Sequence, residues 1–156
     1  MFTLVHQGAI DGNFTDRLLS ALGYRMLLGQ LLLDVIGLPD WISKRRERAE
    51  LLIFQSDGEP IGFVRALHCA ASPSRQDLIY IDLCAVLPEL RGQGHGTTMI
   101  RMFVGHLPAG WQVAASCTKY SRAMIHVLRR LHFRRDTAGA VHSPETYRMV
   151  TAPPPP

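Results

Sequence analysis

The sequence predicts a single α/β domain, built on a mixed central sheet of about six to seven strands with helices on both faces. The chain has 156 residues, of which 47% are hydrophobic, enough to bury one substantial core. Strand-like apolar runs alternate with stretches of helical periodicity, and a glycine-rich loop joins one run to a helix. We assign residues 1–152 to the domain and residues 153–156, four prolines, to a disordered extended tail.

The N-terminal region is predicted to be a short strand followed by a helical region. Residues 3–10 (TLVHQGAI) form the strand. Thr15 or Asp16 can then cap a helical region that runs, with a break near Gly23, to about Ile36.

A hairpin is predicted next. Residues 43–50 (SKRRERAE) form a polar link to a strand at residues 51–56 (LLIFQS). The turn signal DGEP at residues 57–60 leads into an antiparallel partner strand at residues 61–70 (IGFVRALHCA). Residues 77–87 (DLIYIDLCAVL) are a further strand, which ends at the glycine loop.

The second half of the chain is predicted to be a β-α-β-α unit closed by two short strands. Apolar residues recur at helical spacing from Thr97 to Leu107. Residues 111–117 (WQVAASC) form a strand, and Ser121 can cap the next helix. The two closing strands follow Phe133.

Charge is distributed unevenly along the chain. The net charge is +4, yet no Asp or Glu lies between Leu90 and Arg135, where eight Lys and Arg residues give +8. The rest therefore sums to −4. This asymmetry indicates an anionic ligand for the basic half. A nucleic acid is a poor candidate, because the aromatic residues of this half occupy core or strand positions rather than a stacking surface.

Several other classes of protein are not expected. The longest uncharged apolar stretch of the leucine-rich segment, Met26–Leu33, is far shorter than the ~20 residues that span a bilayer, so no membrane partner is expected. The N-terminus has no secretory pattern, so a cytoplasmic location is expected. Three dispersed cysteines and seven histidines without paired ligand spacing indicate neither a disulfide framework nor a metal site.

The glycine loop, residues 91–97, predicts a phosphate site. Main-chain N–H groups exposed by glycines at a helix N-terminus attract an anion, because the amides donate hydrogen bonds and the helix dipole favours negative charge. A P-loop is excluded because no lysine follows Gly96. The dinucleotide fingerprint is excluded by the G-x-G-x-G spacing and by the distance to the next acid, Asp136.

The segment VLPELRGQGHG, residues 86–96, resembles the acyl-CoA loop of the GNAT superfamily of N-acetyltransferases. Arg91, Gly94 and Gly96 fill the three fixed positions of its [RQ]-x-x-G-x-[GA] signature. Residues 121–133 (SRAMIHVLRRLHF) keep the spacing of the family's next motif, including Phe133. The resemblance implies a GNAT-like domain with splayed middle strands, and acetyl-CoA as co-substrate.

The resemblance also implies functional residues. Asp82 matches a position where diamine acetyltransferases of the family carry Glu, which makes it the candidate base, although a buried Asp can instead hold a loop by hydrogen bonds. Tyr147, Tyr120 and Ser121 are candidate acids, because Leu128 stands where the family often has its acidic Tyr. Ser121 and His132 replace the family's usual Asn and Gly. The CoA-binding candidates are Ala85, Val86, Arg91, Gly92, Gln93, Gly94, His95, Gly96, Thr97, Arg122 and Arg129.

The function implied is transfer of an acetyl group from acetyl-CoA to a primary amine of a small molecule, an amino acid or a peptide. The alternative is a CoA-binding regulatory protein or degenerate acetyltransferase without turnover, suggested by the three departures in the second motif. Members of this family often pair, so a homodimer is compatible with the resemblance. The sequence does not identify the amine.

Overall fold

The computed structural model describes residues 1–6, 46–69, 77–117, 121–136 and 145–151, and these contain seven strands and two α-helices. The strands are β1 (Phe2–His6), β2 (Arg46–Ser56), β3 (Glu59–Cys69), β4 (Leu78–Val86), β5 (Gln112–Cys117), β6 (Arg134–Arg135) and β7 (Glu145–Val150). The helices are α1 (His95–Gly105) and α2 (Arg122–Arg130). A 3-10 turn spans Pro88–Leu90.

The strands form one mixed sheet in the order β1-β2-β3-β4-β5-β7-β6. β4 and β5 pair in parallel, and the other neighbours pair antiparallel. The predicted α/β class and mixed sheet are confirmed. The predicted helical region between residues 15 and 36 and the candidate acid Tyr120 lie outside the described residues.

The β2–β3 hairpin turns as its sequence predicts. Asp57 and Gly58 both have positive φ, 52° and 85°, and they connect the paired residues Ser56 and Glu59. This is the two-residue Asp-Gly turn whose twist matches the twist of the strands. One boundary was wrong: β2 begins at Arg46, within the predicted polar link, because β3 is long enough to pair with it as far as Cys69.

Both described helices pack on the same face of the sheet, which we call the helix-bearing face. Its core includes Met99, Ile100 and Phe103 of α1 and Leu128 of α2. The opposite face is also buried, with Tyr80 in one of its two clusters. Within the described part of the chain, no helix is both long and apolar enough to cross a bilayer.

The helix boundaries differ slightly from the predictions. α1 begins at His95 rather than at Thr97, because Gly94 adopts a left-handed conformation and serves as the N-cap. Ser121 is the N-cap residue of α2, but its side chain makes no capping hydrogen bond. α1 and α2 follow the carboxyl ends of two parallel strands, so both begin at the same edge of the sheet.

Candidate functional site

The sheet opens between its two parallel strands. β4 and β5 pair at four positions, from Leu78↔Gln112 to Ile81↔Ala115, and then both strands continue without pairing to each other. The β4 residues 82–86 have no β5 partner on that edge, although β4 still pairs with β3 through Val86. We call this opening the fork and the Ile81↔Ala115 pair its apex. The splayed strands are therefore present.

A β-bulge lies in β4 at the start of the fork. Arg65 pairs with Leu83 and Ala66 pairs with Ile81, so Asp82 is an extra residue without a β3 partner. A bulge bends its strand and increases its twist, which helps to turn β4 away from β5.

The Asp82 carboxylate forms an ion pair with Arg65. The Nε group of Arg65 donates to Oδ2 of Asp82 at 2.6 Å, and the Nη2 group contacts the same oxygen. The Asp82 side chain is 3% exposed and that of Arg65 is 36% exposed. Arg65 lies between two residues of the helix-bearing core, Val64 and Ala66, so the ion pair is on the opposite face.

The loop after β4 is built for close approach of a ligand. Gly92 and Gly94 have positive φ, 79° and 85°, and a Cβ at either position would meet no atom within 4 Å. The positive φ explains why glycine is used, since other residues rarely adopt it. The open space beside the main chain leaves room for an anion.

The α1 N-terminus presents main-chain donors to this space. The first bond of the helix runs from the Thr98 N–H to the Gly94 carbonyl at 3.1 Å. The N–H groups of His95, Gly96 and Thr97 precede it and therefore have no acceptor within the helix. The first turn contains no acidic residue. These amides and the helix dipole can attract an anion, and we call this place the candidate anion site.

Side chains of the loop fix its shape. The Nε group of Arg91 donates to the Val86 carbonyl at 3.1 Å, which holds the guanidinium over the end of β4. The Nε2 group of Gln93 donates to the Glu89 carbonyl at 3.3 Å. Arg91 and Gln93 are both exposed. CoA binding by Arg91 and Gln93 stays a prediction.

The other predicted residues of α1 have packing contacts. The His95 ring lies edge-on to the ring of Phe2, with centroids 5.5 Å apart. A Cβ on Gly96 would lie 3.9 Å from Val127 of α2 and 4.0 Å from Val86. Thr97 is buried. Their accessible contribution to an anion is therefore the main chain.

Gly62, a glycine that was not among the predicted site residues, lets β3 approach the unpaired part of β4 closely. A Cβ on Gly62 would lie 2.5 Å from the Ala85 carbonyl oxygen and 3.3 Å from the Met99 sulfur. Only a residue without a side chain fits between β4 and α1 at this point. The signal was present, because an isolated glycine inside a strand pattern often marks close approach of another backbone.

The structure brings Arg129 and Tyr147 together. The Nη2 group of Arg129 donates to the Tyr147 hydroxyl at 3.3 Å, and its guanidinium lies 5.9 Å from the ring centroid. The Tyr147 hydroxyl donates to Oε2 of Glu145 at 2.8 Å. Burial and the bond to Glu145 raise the pKa of Tyr147, with Arg129 opposing. Both candidates are thus engaged with each other, whereas Arg122 is exposed at the start of α2.

Two residues that sequence reasoning missed lie at the apex of the fork. Tyr80 is 2% exposed, and its phenol is hydrogen-bonded to Ser116. Ser116 Oγ lies 3.0 Å from Oγ1 of Thr146 on β7. In the sequence, Tyr80 and Ser116 are ordinary strand residues, and only the pairing register shows that they meet.

The thiols beside the fork are not nucleophiles at neutral pH. Burial raises the pKa of Cys84 and of Cys117 to about 12 in each case. A thiol is a poor nucleophile until it ionises. Among the described residues, no group of three His, Cys, Asp or Glu side chains could hold a metal ion.

Comparison with known proteins identifies the family. The model of the acetyltransferase (GNAT) family matches residues 25–133, which is more than half of the chain. The chain belongs to the GNAT family. The match spans the fork, the glycine loop and α2, and it ends at Phe133, so β7 with Tyr147 lies beyond it. A sequence search of curated proteins finds no relative.

Solved structures of GNAT enzymes share the fold. The spermidine/spermine N-acetyltransferase SpeG of Vibrio cholerae is 13% identical, covers 97% of this chain and 95% of its own, and has a TM-score of 0.61. The N-acetyltransferase PseH of Campylobacter jejuni, solved with acetyl coenzyme A, is 10% identical over 97% and 100%, with a TM-score of 0.61. A ribosomal-protein-alanine N-acetyltransferase of Escherichia coli is 13% identical over 97% and 95%, with a TM-score of 0.58.

Proposed function

We propose that this protein transfers an acetyl group from acetyl-CoA to a primary amine of a small molecule, an amino acid or a peptide. The observation that carries the proposal is the position of the fork, which opens directly beside the candidate anion site at the carboxyl end of β4. A phosphate-bearing head and an extended thioester arm need two such neighbouring features. Similar folds in N-acetyltransferases, one of them solved with acetyl coenzyme A, support this choice.

In the proposed complex, the CoA pyrophosphate lies on the loop and the start of α1. Gly92 and Gly94 keep the space open, and the amides of residues 94–97 donate to the phosphate oxygens. Arg91, held over the end of β4, adds a positive charge. Arg122 is an exposed charge at the same edge of the sheet, where it can reach a phosphate.

The pantetheine arm then extends along the unpaired edge of β4 toward the apex. Five residues, 82–86, span roughly 16 Å at the usual rise of a strand, which suits an extended arm between a pyrophosphate and a thioester. Successive N–H groups of a strand point to opposite edges. One of Ala85 and Val86 therefore directs its N–H toward β3 and the other toward the fork, where it can polarise the thioester carbonyl.

Asp82 is the proposed base. Its carboxylate lies at the start of the fork, and the contact with Arg65 orients it. A carboxylate attracts the cationic acceptor. The ammonium first releases one proton to solvent, and the carboxylate can then take the proton that the neutral amine nitrogen loses when it attacks. Asp82→Asn should lower kcat at least tenfold and leave the CoA dissociation constant unchanged. Full activity in this variant would remove Asp82 from the base role.

Substitution of loop glycines tests the CoA site. Gly94→Ala places a methyl group in the proposed phosphate position and should raise the dissociation constant for acetyl-CoA at least tenfold, about 1.4 kcal/mol. Gly110→Ala is the matched control, because Gly110 also has positive φ, 83°, and open space around it, but lies before β5 at the other end of the sheet. Equal affinities in the two variants would contradict the proposed site.

Turnover decides between an enzyme and a binding protein. Release of CoA thiol is measured with acetyl-CoA and a panel of polyamines, free amino acids and peptides with free N-termini. Acetylation of one class identifies the acceptor. Tight binding of acetyl-CoA that depends on Gly94, without acetyl transfer to any amine, would instead establish a regulatory CoA-binding protein.

A further inference from the structure

Three hydroxyl groups form a line across the sheet at the apex of the fork. The Tyr80 oxygen on β4 is hydrogen-bonded to Ser116 on β5, through both the hydroxyl and the main-chain N–H of the serine. Ser116 Oγ in turn lies 3.0 Å from Oγ1 of Thr146 on β7. The line therefore joins three neighbouring strands.

This line crosses the point where the parallel strands separate. Tyr80 precedes the last pair of the ladder, Ile81↔Ala115, and Ser116 follows it. Ser116 lies between two residues of the helix-bearing core, so its side chain projects to the opposite face, where Tyr80 is buried. The ion pair of Asp82 occupies the same face, one residue beyond the last pair.

The hydroxyl line is able to donate a proton at neutral pH. Burial raises the pKa of Tyr80 above its usual 10.0, and the negative charge of Asp82 raises it further, while the bonds to Ser116 oppose the change. The phenol therefore stays protonated. The other buried phenol, Tyr147, already donates to Glu145, and the side chain at position 128 is a fully buried leucine.

We propose that the Tyr80–Ser116 hydroxyl pair supplies the proton that the CoA sulfur takes up when the thioester breaks. This inference rests on the proposed acetyl transfer. The amine nitrogen bonds to the carbonyl carbon, and the carbon–sulfur bond breaks with its electron pair moving to sulfur.

The protons balance within the apex. The Ser116 hydroxyl gives its proton to the thiolate, and the Tyr80 hydroxyl restores the proton of Ser116. The proton lost by the amine nitrogen goes to Asp82 and returns from Asp82 to Tyr80. The products are the amide and the free thiol of CoA, and the three side chains end in their starting states.

The test compares two thioesters in Tyr80→Phe and Ser116→Ala. With acetyl-CoA, either change should lower kcat/KM at least tenfold. This is less than a proton donor usually contributes, because a CoA thiolate is a fair leaving group. With acetyl 4-nitrophenyl thioester, whose thiolate leaves without a proton, either change should alter kcat/KM less than twofold. Thr3→Val, which removes a strand hydroxyl bonded to Gln55 away from the fork, is the control and should leave both rates unchanged.

The outcomes separate this inference from the proposed function. The CoA dissociation constant, measured by calorimetry, should be the same in all four proteins. Equal slowing with both thioesters would show that the hydroxyls only maintain the fork, and normal rates with both would show that they give no proton; either result overturns the inference alone. Wild-type protein that binds CoA and acetylates no amine overturns the proposed function, and the inference with it.

Discussion

Replacing His132 by glycine should stabilise the protein. His132 follows α2 and has a φ of 65°, in the left-handed region. The Phe133 N–H bonds to the Leu128 carbonyl and the His132 N–H to the Arg129 carbonyl, both at 3.0 Å. This is the Schellman arrangement, with Phe133 and Leu128 in the same core cluster. Glycine is the usual residue at the left-handed position, and here a histidine occupies it.

The magnitude follows from two opposing terms. A left-handed conformation costs an L-residue roughly 1–2 kcal/mol, and glycine loses about 0.5–1 kcal/mol more backbone entropy on folding. The difference is about 0.5–1 kcal/mol in favour of His132→Gly. The imidazole is exposed, so little packing is lost with it. For a chain of this length the gain raises Tm by roughly 1–4 °C.

Thermal and urea unfolding of three proteins tests the reasoning. His132→Ala removes the same imidazole but keeps a Cβ, so it should stay within about 0.5 kcal/mol of the wild type. His132→Gly should exceed both in unfolding free energy. A glycine variant no more stable than the alanine variant would show that left-handed strain at this position is not what the histidine costs.

Three further predictions follow from the structure. Gly62→Ala should cost about 1–3 kcal/mol of unfolding free energy, because its Cβ would meet a β4 carbonyl oxygen at 2.5 Å. Gly105→Ala, with open space at the end of α1, should instead stabilise the protein by about 0.5–1 kcal/mol. Urea unfolding of both variants separates the effect of close approach from that of helix propensity. Arg91→Gln should raise the dissociation constant for CoA, measured by calorimetry, roughly 10-fold to 100-fold. Arg101→Gln makes the same charge change on an exposed residue of α1 and should leave the dissociation constant unchanged. An equal loss of affinity in both variants would indicate a general charge effect. Burial raises the pKa of Cys117 from 9.0 to about 12, so the folded state keeps this proton to a higher pH than the unfolded chain, and stability is lost as the pH rises from 9 toward 12. In urea unfolding, Cys117→Ala should reduce that loss by about 1.4 kcal/mol per pH unit. An unchanged dependence of the unfolding free energy on pH would contradict this.

The order of the described elements was predictable because it depends on local signals. The Asp57-Gly58 turn fixed the hairpin, and the helical spacing of Met99, Ile100 and Phe103 fixed α1. The start of β2 was not predictable from its composition, because charged residues extend a strand when a long neighbouring strand provides main-chain hydrogen-bond partners. Such pairing depends on β3, which lies elsewhere in the sequence.

The conformation of the glycine loop was predictable for the same reason. The loop presents main-chain groups at consecutive positions. A glycine in the sequence indicates where the backbone can adopt a positive φ. Gly92 and Gly94 have the positive φ that their residue type suggests. Gly96 differs, because its φ is not positive. Glycine at this position instead allows α1 to pack closely against Val86 and Val127.

The chemistry at the apex could not be predicted, because it depends on register. Asp82 stood out as an acid in an apolar strand, but its bulge and its partner Arg65 appear only when β3 and β4 are aligned. Tyr80 and Ser116 are 36 positions apart in the sequence and meet because the parallel ladder ends between them. A shift of one residue in that ladder would move Tyr80 to the helix-bearing face and break its contact with Ser116. The sheet therefore opens at one defined pair, between the bulge in β4 and the Tyr80–Ser116 bond. The same two features place the Asp82 carboxylate and the Tyr80–Ser116 hydroxyl pair on one face of that opening.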